Sequence, residues 1–371
     1  MKTVTPDPGA EVAAFAYYLP QFYPLELNST WWGEGFTEWN SVLRAHRGWR
    51  SPESTLTAPS ELGFYDLRAP HTRERQGELA ALAGLSALCV YHYYSAGSRL
   101  LPEVEDAIMA DGKPDFPFFF GWANHDWTLA WKGRPQDVIV KQEYDEHLND
   151  DHITRIVDSF ADSRYFMVNG RHVVLVYNPL QVPEYLAVFR KWRQFAASRG
   201  YGLYLVGAAA RLGVPAAEAA GLDCWVQGTG ETFAVPSRVA QARASLRTPA
   251  RALRHYRHRD RFFPYSELLD KLNKDYFRYP EGTIPLVISG WNNTGRRTRR
   301  ASYTDVTPGG LSEAIRRAVA VAPPQGEGDG ARRLVAINAW NEWGEGMTLE
   351  PSVQWGRQMI EACARSLGHV T

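Results

Sequence analysis

Apolar residues gather in eight short runs along the chain: Ala13 to Pro20, Ala87 to Tyr94, Phe116 to Asn124, Val173 to Asn178, Leu203 to Ala208, Leu222 to Gln227, Pro285 to Trp291 and Leu334 to Trp340. Their shortness and their β-branched and aromatic content predict strands. Between most of them lie stretches with apolar residues at helical spacing, at Arg73 to Leu85, Asp150 to Ser159, Pro183 to Arg199 and Gly310 to Val321. Eight strands alternating with helices predict an α/β fold, a (β/α)8 TIM barrel forming a single domain over residues 1–371. The active site of such a barrel lies at the C-terminal ends of its strands. That is where the polar and aromatic residues fall, as Tyr17-Tyr18-Leu19-Pro20-Gln21, Tyr91-His92-Tyr93-Tyr94, Trp122-Ala123-Asn124-His125-Asp126-Trp127, Tyr177-Asn178, Gln227 and Ser289-Gly290-Trp291-Asn292-Asn293.

Two βα loops are long insertions, Phe22 to Pro70 and Gly228 to Gly282, where about 2 to 6 residues are usual. The first holds Trp31-Trp32-Gly33-Glu34-Gly35-Phe36-Thr37-Glu38-Trp39, with Glu34 and Glu38 four apart on a possible helical turn. The second holds eight arginines from Arg238 to Arg261 against Asp260 alone, a solvated face or a contact for an anionic surface.

The eighth run breaks into two glutamates three residues apart, in Asn341-Glu342-Trp343-Gly344-Glu345-Gly346. In an extended strand residues i and i+3 face opposite ways. Gly344 and Gly346 are therefore expected to let the backbone turn until both carboxylates face one cavity. Paired carboxylates beside indoles suit sugar chemistry: one carboxyl donates a proton to a leaving oxygen, its partner stays charged, and an aromatic ring stacks on a pyranose. A solvated loop is the plainer alternative, but Asn338, Trp340, Asn341 and Trp343 are crowded into the same stretch.

The composition supports a glycan partner. Thirteen tryptophans and 18 tyrosines exceed the needs of a core, and many stand beside polar residues in loops. With 41 basic and 41 acidic residues the net charge is zero, which gives no sign of a nucleic-acid or anionic-membrane partner. Cys89, Cys224 and Cys363 are odd in number and widely spaced, and read as buried free thiols. No Cys or His pair has zinc-ligand spacing, so no metal or other cofactor is expected. The first ten residues lack a leader pattern, and no apolar run approaches about 18 residues. A soluble, cytoplasmic protein without an integral membrane segment is the expectation.

These blocks, together with Gln142-Glu143-Tyr144 and Ile288-Ser289-Gly290-Trp291, resemble the WbsX-type proteins of polysaccharide biosynthesis, whose domain is similar to the retaining endo-α-mannosidases of glycoside hydrolase family 99. The resemblance covers nearly the whole chain. It implies that Glu345 is the general acid/base. Glu342 would engage the sugar 2-hydroxyl, which attacks its own anomeric carbon to give a 1,2-anhydro sugar that water opens with net retention. Substrate-binding positions are expected at Tyr18, Gln21, Trp32, Glu34, Glu38, Tyr91, His92, Trp122, Asn124, Asp126, Trp127, Trp291, Asn292, Asn341, Trp343 and Arg296. Glu34, Glu38 and Asp126 could equally cap loops. The chain departs from the family pattern at His125 and Asn292, where a carboxylate is usual, so the sugar recognised is expected to differ. Three functions remain open at this level: an α-glycosidase, a glycosyltransferase that holds a nucleotide sugar with Arg296, Arg297, Arg299 and Arg300, and a non-catalytic glycan-binding module.

Overall fold

The computed structural model describes residues 11–47, 57–129, 134–145, 150–210, 214–228, 261–275, 279–292, 301–325 and 331–368. All eight predicted strands are present: β1 (Glu11–Tyr18), β2 (Ala87–Ser95), β3 (Phe118–Trp122), β4 (Arg171–Val176), β5 (Leu203–Ala210), β6 (Cys224–Gln227), β7 (Leu286–Val287) and β8 (Arg332–Ile337). They lie in one curled sheet in the order β6-β5-β4-β3-β2-β1-β8-β7. Every neighbouring pair along that path is parallel, and short antiparallel strands added to β2, β4 and β8 make the sheet mixed. Val226 of β6 forms a parallel bridge to Ile284, in the segment that leads into β7. There the Gln227 amide donates to Ile284 O at 2.9 Å, and the Ile284 amide donates to Trp225 O at 2.7 Å.

The helices of the described residues are α1 (Glu26–Trp32), α2 (Glu38–Arg47), α3 (Pro70–Leu82), α4 (Pro102–Asp111), α5 (Asp151–Asp158), α6 (Tyr185–Ser198), α7 (Tyr265–Asp275), α8 (Pro308–Val321) and α9 (Gln358–Ser366). The start of α8 is typical of the local chemistry: Thr307 Oγ1 accepts the Gly310 amide at 3.1 Å, and Pro308 occupies the first turn, where its missing N–H is not needed. Between β5 and β6 the described residues hold only the short turn Glu218–Ala220, so the alternation of strand and helix is incomplete there.

Both faces of the sheet are apolar, as the unbroken runs required. On one face Phe15 meets Phe119 edge-on at 5.2 Å, and Tyr17 stacks on Tyr91 at 5.5 Å. On the other, Trp122 lies 4.6 Å from His152 of α5 and 5.9 Å from Trp192 of α6. Cys89, Cys224 and Cys363 are buried free thiols, as expected. No helix of the described residues is long and apolar enough to cross a membrane.

The seventh run gives a strand much shorter than predicted. Asn338, just past β8, takes hold of its continuation: its Oδ1 accepts from the Ser289 amide (2.8 Å) and hydroxyl (2.9 Å), and its Nδ2 donates to Gly290 O (3.2 Å). Those contacts replace strand pairing and bend residues 289–292 toward the end of β8.

Candidate active site

The segment after β8 is fixed to its neighbours by side-chain amides. Asn341, fully buried, accepts the Leu19 amide at 2.7 Å and donates to Leu19 O at 3.1 Å, while the Trp340 amide donates to Tyr17 O at 2.6 Å. The end of β8 is thereby bound to the end of β1. Asn341–Glu342 then pairs antiparallel with Met347–Thr348, and the connection is a single 3-10 turn, Trp343–Glu345. Glu342 therefore precedes one tight turn and Glu345 is its last residue. Gly346 takes the left-handed conformation that ends it (φ 62°), whereas Gly344 lies inside the turn without a positive φ. One glycine, not two, does the turning.

Two neighbours hold that turn. The Asn292 amide, from the loop bent over by Asn338, donates to Glu345 O at 2.6 Å. Helix α2 packs across the other side and brings Glu38, at its first turn, into full burial. Glu342 and Glu345 themselves are half-buried.

A phenol marks where these groups converge. Tyr93 of β2 accepts the Gln21 amide at 2.8 Å, and its ionisation is pushed well up, first by burial, then by the charge of Glu342 and further by Glu38. Trp127 stands edge-on to Tyr93 at 5.2 Å, and Tyr91 lies 6.2 Å from it on the side that carries Tyr17. The group is thus two carboxylates, an amide, two phenols and a half-buried indole, drawn from the C-terminal ends of β1, β2, β3 and β8 and from the start of α2. Carboxylates and an amide can hold sugar hydroxyls, and an indole edge can meet a ring face. Among the described residues no group of three or more His, Cys, Asp or Glu is arranged to hold a metal ion.

A family model described as "Glycosyltransferase WbsX" matches residues 14–363. The chain belongs to that family. Two relatives, each described as uncharacterized protein WxcX and found in strains B100 and ATCC 33913 of Xanthomonas campestris pv. campestris, are 32% identical over 364 and 360 residues. Those matches take in 95% of this chain and 49% of each relative, so the chain spans about half the length of the curated relatives it matches. Among solved structures, a glycoside hydrolase-like protein superposes with a TM-score of 0.59 at 13% identity, covering 100% of this chain and 98% of its own. A GH99 endo-alpha-mannosidase from Bacteroides thetaiotaomicron superposes with a TM-score of 0.53 at 16% identity, covering 95% and 96%. At such identities the likeness is one of fold, and the GH99-like fold is a TIM barrel.

In this WbsX-family chain the expected site residues divide by strand face. Gln21, Glu38, Tyr91, Trp127, Glu342 and Glu345 fall within or beside the convergent group. Tyr18, His92 and Trp122 do not. Each lies on the opposite face of the sheet from Tyr17, Tyr91 and Tyr93, because the period-two alternation of a strand turns it toward the helices. Tyr18 donates to Gln76 of α3 at 2.8 Å, His92 Nδ1 pairs with Glu105 of α4 at 2.9 Å, and the Trp122 indole donates to Tyr94 O at 3.0 Å.

Trp343 is also corrected. Its indole is buried and donates to Glu350 at 2.6 Å, so it is packing under the turn rather than an open platform. Asn124 ties strand ends together, accepting the Asn178 amide at 2.7 Å and donating to Asn178 O at 2.9 Å, and Asn341 does the same for β1 and β8. Asn292 is buried, and its backbone amide is the donor to Glu345 O described above. Asp126 is exposed and accepts the Gln142 amide at 2.7 Å, which is the loop-capping alternative. Glu34 is exposed, Trp32 stacks on Phe36 at 5.6 Å, and Trp291 lies 6.2 Å from Tyr303. His125, one of the two departures, is exposed with its ring 5.6 Å from that of Tyr177. Arg296 and the arginines beside it lie outside the described residues, as do the arginines from Arg238 to Arg259.

Tyr93, Tyr17 and Glu350, which the structure places in or beside the convergent group, were not among the expected site residues. The tyrosines stood in the strand-end blocks next to residues that were chosen. Glu350 carried a signal in its setting, a lone acid between Leu349 and Pro351 just past the turn.

Proposed function

We propose that this chain is an enzyme that cleaves or transfers an α-glycosidic linkage of an oligosaccharide or polysaccharide in the cytoplasm. Its scaffold is a single-domain (β/α)8 barrel, a reading supported by the bridge between Val226 and Ile284. The observation that carries the function is the placement of Glu342 just before one clamped turn and Glu345 at its end, with Glu342 beside Tyr93. Glu342 takes the proton of a sugar 2-hydroxyl, and that oxygen closes on the anomeric carbon. Glu345 gives a proton to the departing oxygen; in the second step it takes one from the water that attacks the anomeric carbon, the C1–O2 bond breaks, and Glu342 returns its proton to O2, with net retention. Neither carboxylate needs to reach the anomeric carbon, so the turn that separates them is compatible with this chemistry. Gln21, Tyr93 and Trp127 are the groups that would hold the sugar, with the buried carboxylate of Glu38 acting on Tyr93.

The test is a screen of α-linked oligosaccharides with the product anomer followed by NMR. Glu342→Gln and Glu345→Gln should each lose about 10²- to 10⁴-fold in turnover while remaining folded. Wild-type rates in both variants would sink the assignment, and binding without turnover in the wild type would favour a glycan-binding module.

The family's description favours a second reading, transfer from a nucleotide sugar. It predicts saturable binding of nucleoside diphosphates that an Arg296→Ala, Arg297→Ala double variant abolishes. For hydrolysis of neutral glycans, calorimetry should show no such binding in either protein.

A further inference from the structure

Glu350 is a carboxylate buried to 1% exposure just beyond the turn that carries Glu342 and Glu345. Its surroundings supply donors rather than a cation. Oε2 accepts from the Trp343 indole (2.6 Å) and the Tyr65 hydroxyl (2.9 Å), and Oε1 accepts from the Gln76 amide (2.6 Å). Gln76 in turn accepts from Tyr18 at 2.8 Å. The groups that face it are the phenols of Tyr18 on β1 and of Tyr65, and, beyond Gln76 on the same helix, Arg73. The Arg73 guanidinium is spent on Asp111, Leu67 O and Lys113 O. Three hydrogen bonds meeting one buried carboxyl, with the Trp340 indole as a fourth donor acting on it, suit its ionised form, which only accepts.

Trp343 follows Glu342 and opens the turn that ends at Glu345, and its indole can only donate. Its hold on Glu350 therefore anchors the turn from beneath, opposite the Asn292 contact on Glu345. We infer that Glu350 is a positioning residue for the catalytic turn: its ionised carboxylate holds Trp343, and uptake of a proton weakens that hold and loosens the placement of Glu342 and Glu345. A proton from solvent bonds to one carboxyl oxygen, and the bond from Trp343 changes from charge-assisted to neutral, about half as strong. Burial raises this carboxyl from 4.5 to about 7, so the exchange falls near neutral pH. The inference rests on the role proposed for the two glutamates, but the Glu350–Trp343 link does not.

The first experiment is an NMR titration of the Trp343 indole N–H in ¹⁵N-labelled protein, assigned by the signal lost in Trp343→Phe. The signal should move through a single midpoint near neutrality between about pH 5 and 9, and the movement should be absent in Glu350→Gln. A signal that stays flat, or that titrates unchanged in Glu350→Gln, overturns the link. If Glu350→Gln does not fold, the wild-type titration decides alone. The second is kinetic, on a substrate from the screen above. Glu350→Gln should lower kcat by about ten- to a hundredfold with little change in KM, and should flatten the acidic limb of the pH profile. An unchanged kcat profile overturns positioning while leaving the glutamate assignment intact. Turnover surviving in Glu342→Gln and Glu345→Gln fails that assignment and leaves the titration standing.

Discussion

Glu350→Gln also carries a stability prediction whose sign follows from burial. In the folded chain the Glu350 carboxyl is held at about 7, against 4.5 when it is exposed to water. Between those values the folded state keeps a proton that the unfolded chain has released, so this group's contribution falls as pH rises. The loss begins near 4.5 and is complete above about 7; at about 1.4 kcal/mol per pH unit it amounts to about 3.5 kcal/mol. Glutamine has no such titration. Measured between about pH 5.5 and 8, the variant should therefore gain about 2 kcal/mol on the wild type. Urea unfolding of both proteins at the two pH values, with equal slopes, reads this difference and cancels every group the two share. A difference constant to within about 0.5 kcal/mol would refute the claim that Glu350 is held protonated past its ordinary range. The expected result also means that charge at this position is kept at a cost in stability, as suits a functional group more than a structural one.

His152 should show the opposite slope. Fully buried among Tyr94, Trp122 and Trp192, it is held well below 6.5, first by burial and then by His92, so stability should fall as pH drops below about 6.5, and His152→Phe should remove that loss in thermal unfolding. Asn341→Ala strips both partners from Leu19, leaving a buried N–H and C=O each unpaired at about 1 to 3 kcal/mol, and chemical denaturation should show the sum. In Gly290→Ala the new Cβ would sit 2.6 Å from Gly346 O, so the loop must withdraw from the end of the turn; turnover should drop along with thermal stability.

The sequence by itself determined the strands and the place of the carboxylates. A run such as Val173 to Val176 is apolar at every position because it is buried on both faces, and its shortness and β-branched valines mark it as a strand. Glu342 and Glu345 were legible for a related reason: two acids directly following such a run must emerge at its C-terminal end. Tertiary structure decided which neighbours join them. Tyr17 and Tyr18, or Tyr91 and His92, are adjacent in a block, and composition cannot tell which of the pair turns inward; only the register of β1 against β2 and β8 does. The asparagines were legible as polar residues at strand ends, but their partners, Leu19 for Asn341 and Ser289 for Asn338, lie 322 and 49 positions away. Glu350 depends most on the fold, because its donors come from Tyr65, Gln76 and Trp343, and a carboxylate's burial is set by what packs around it rather than by its neighbours in the chain.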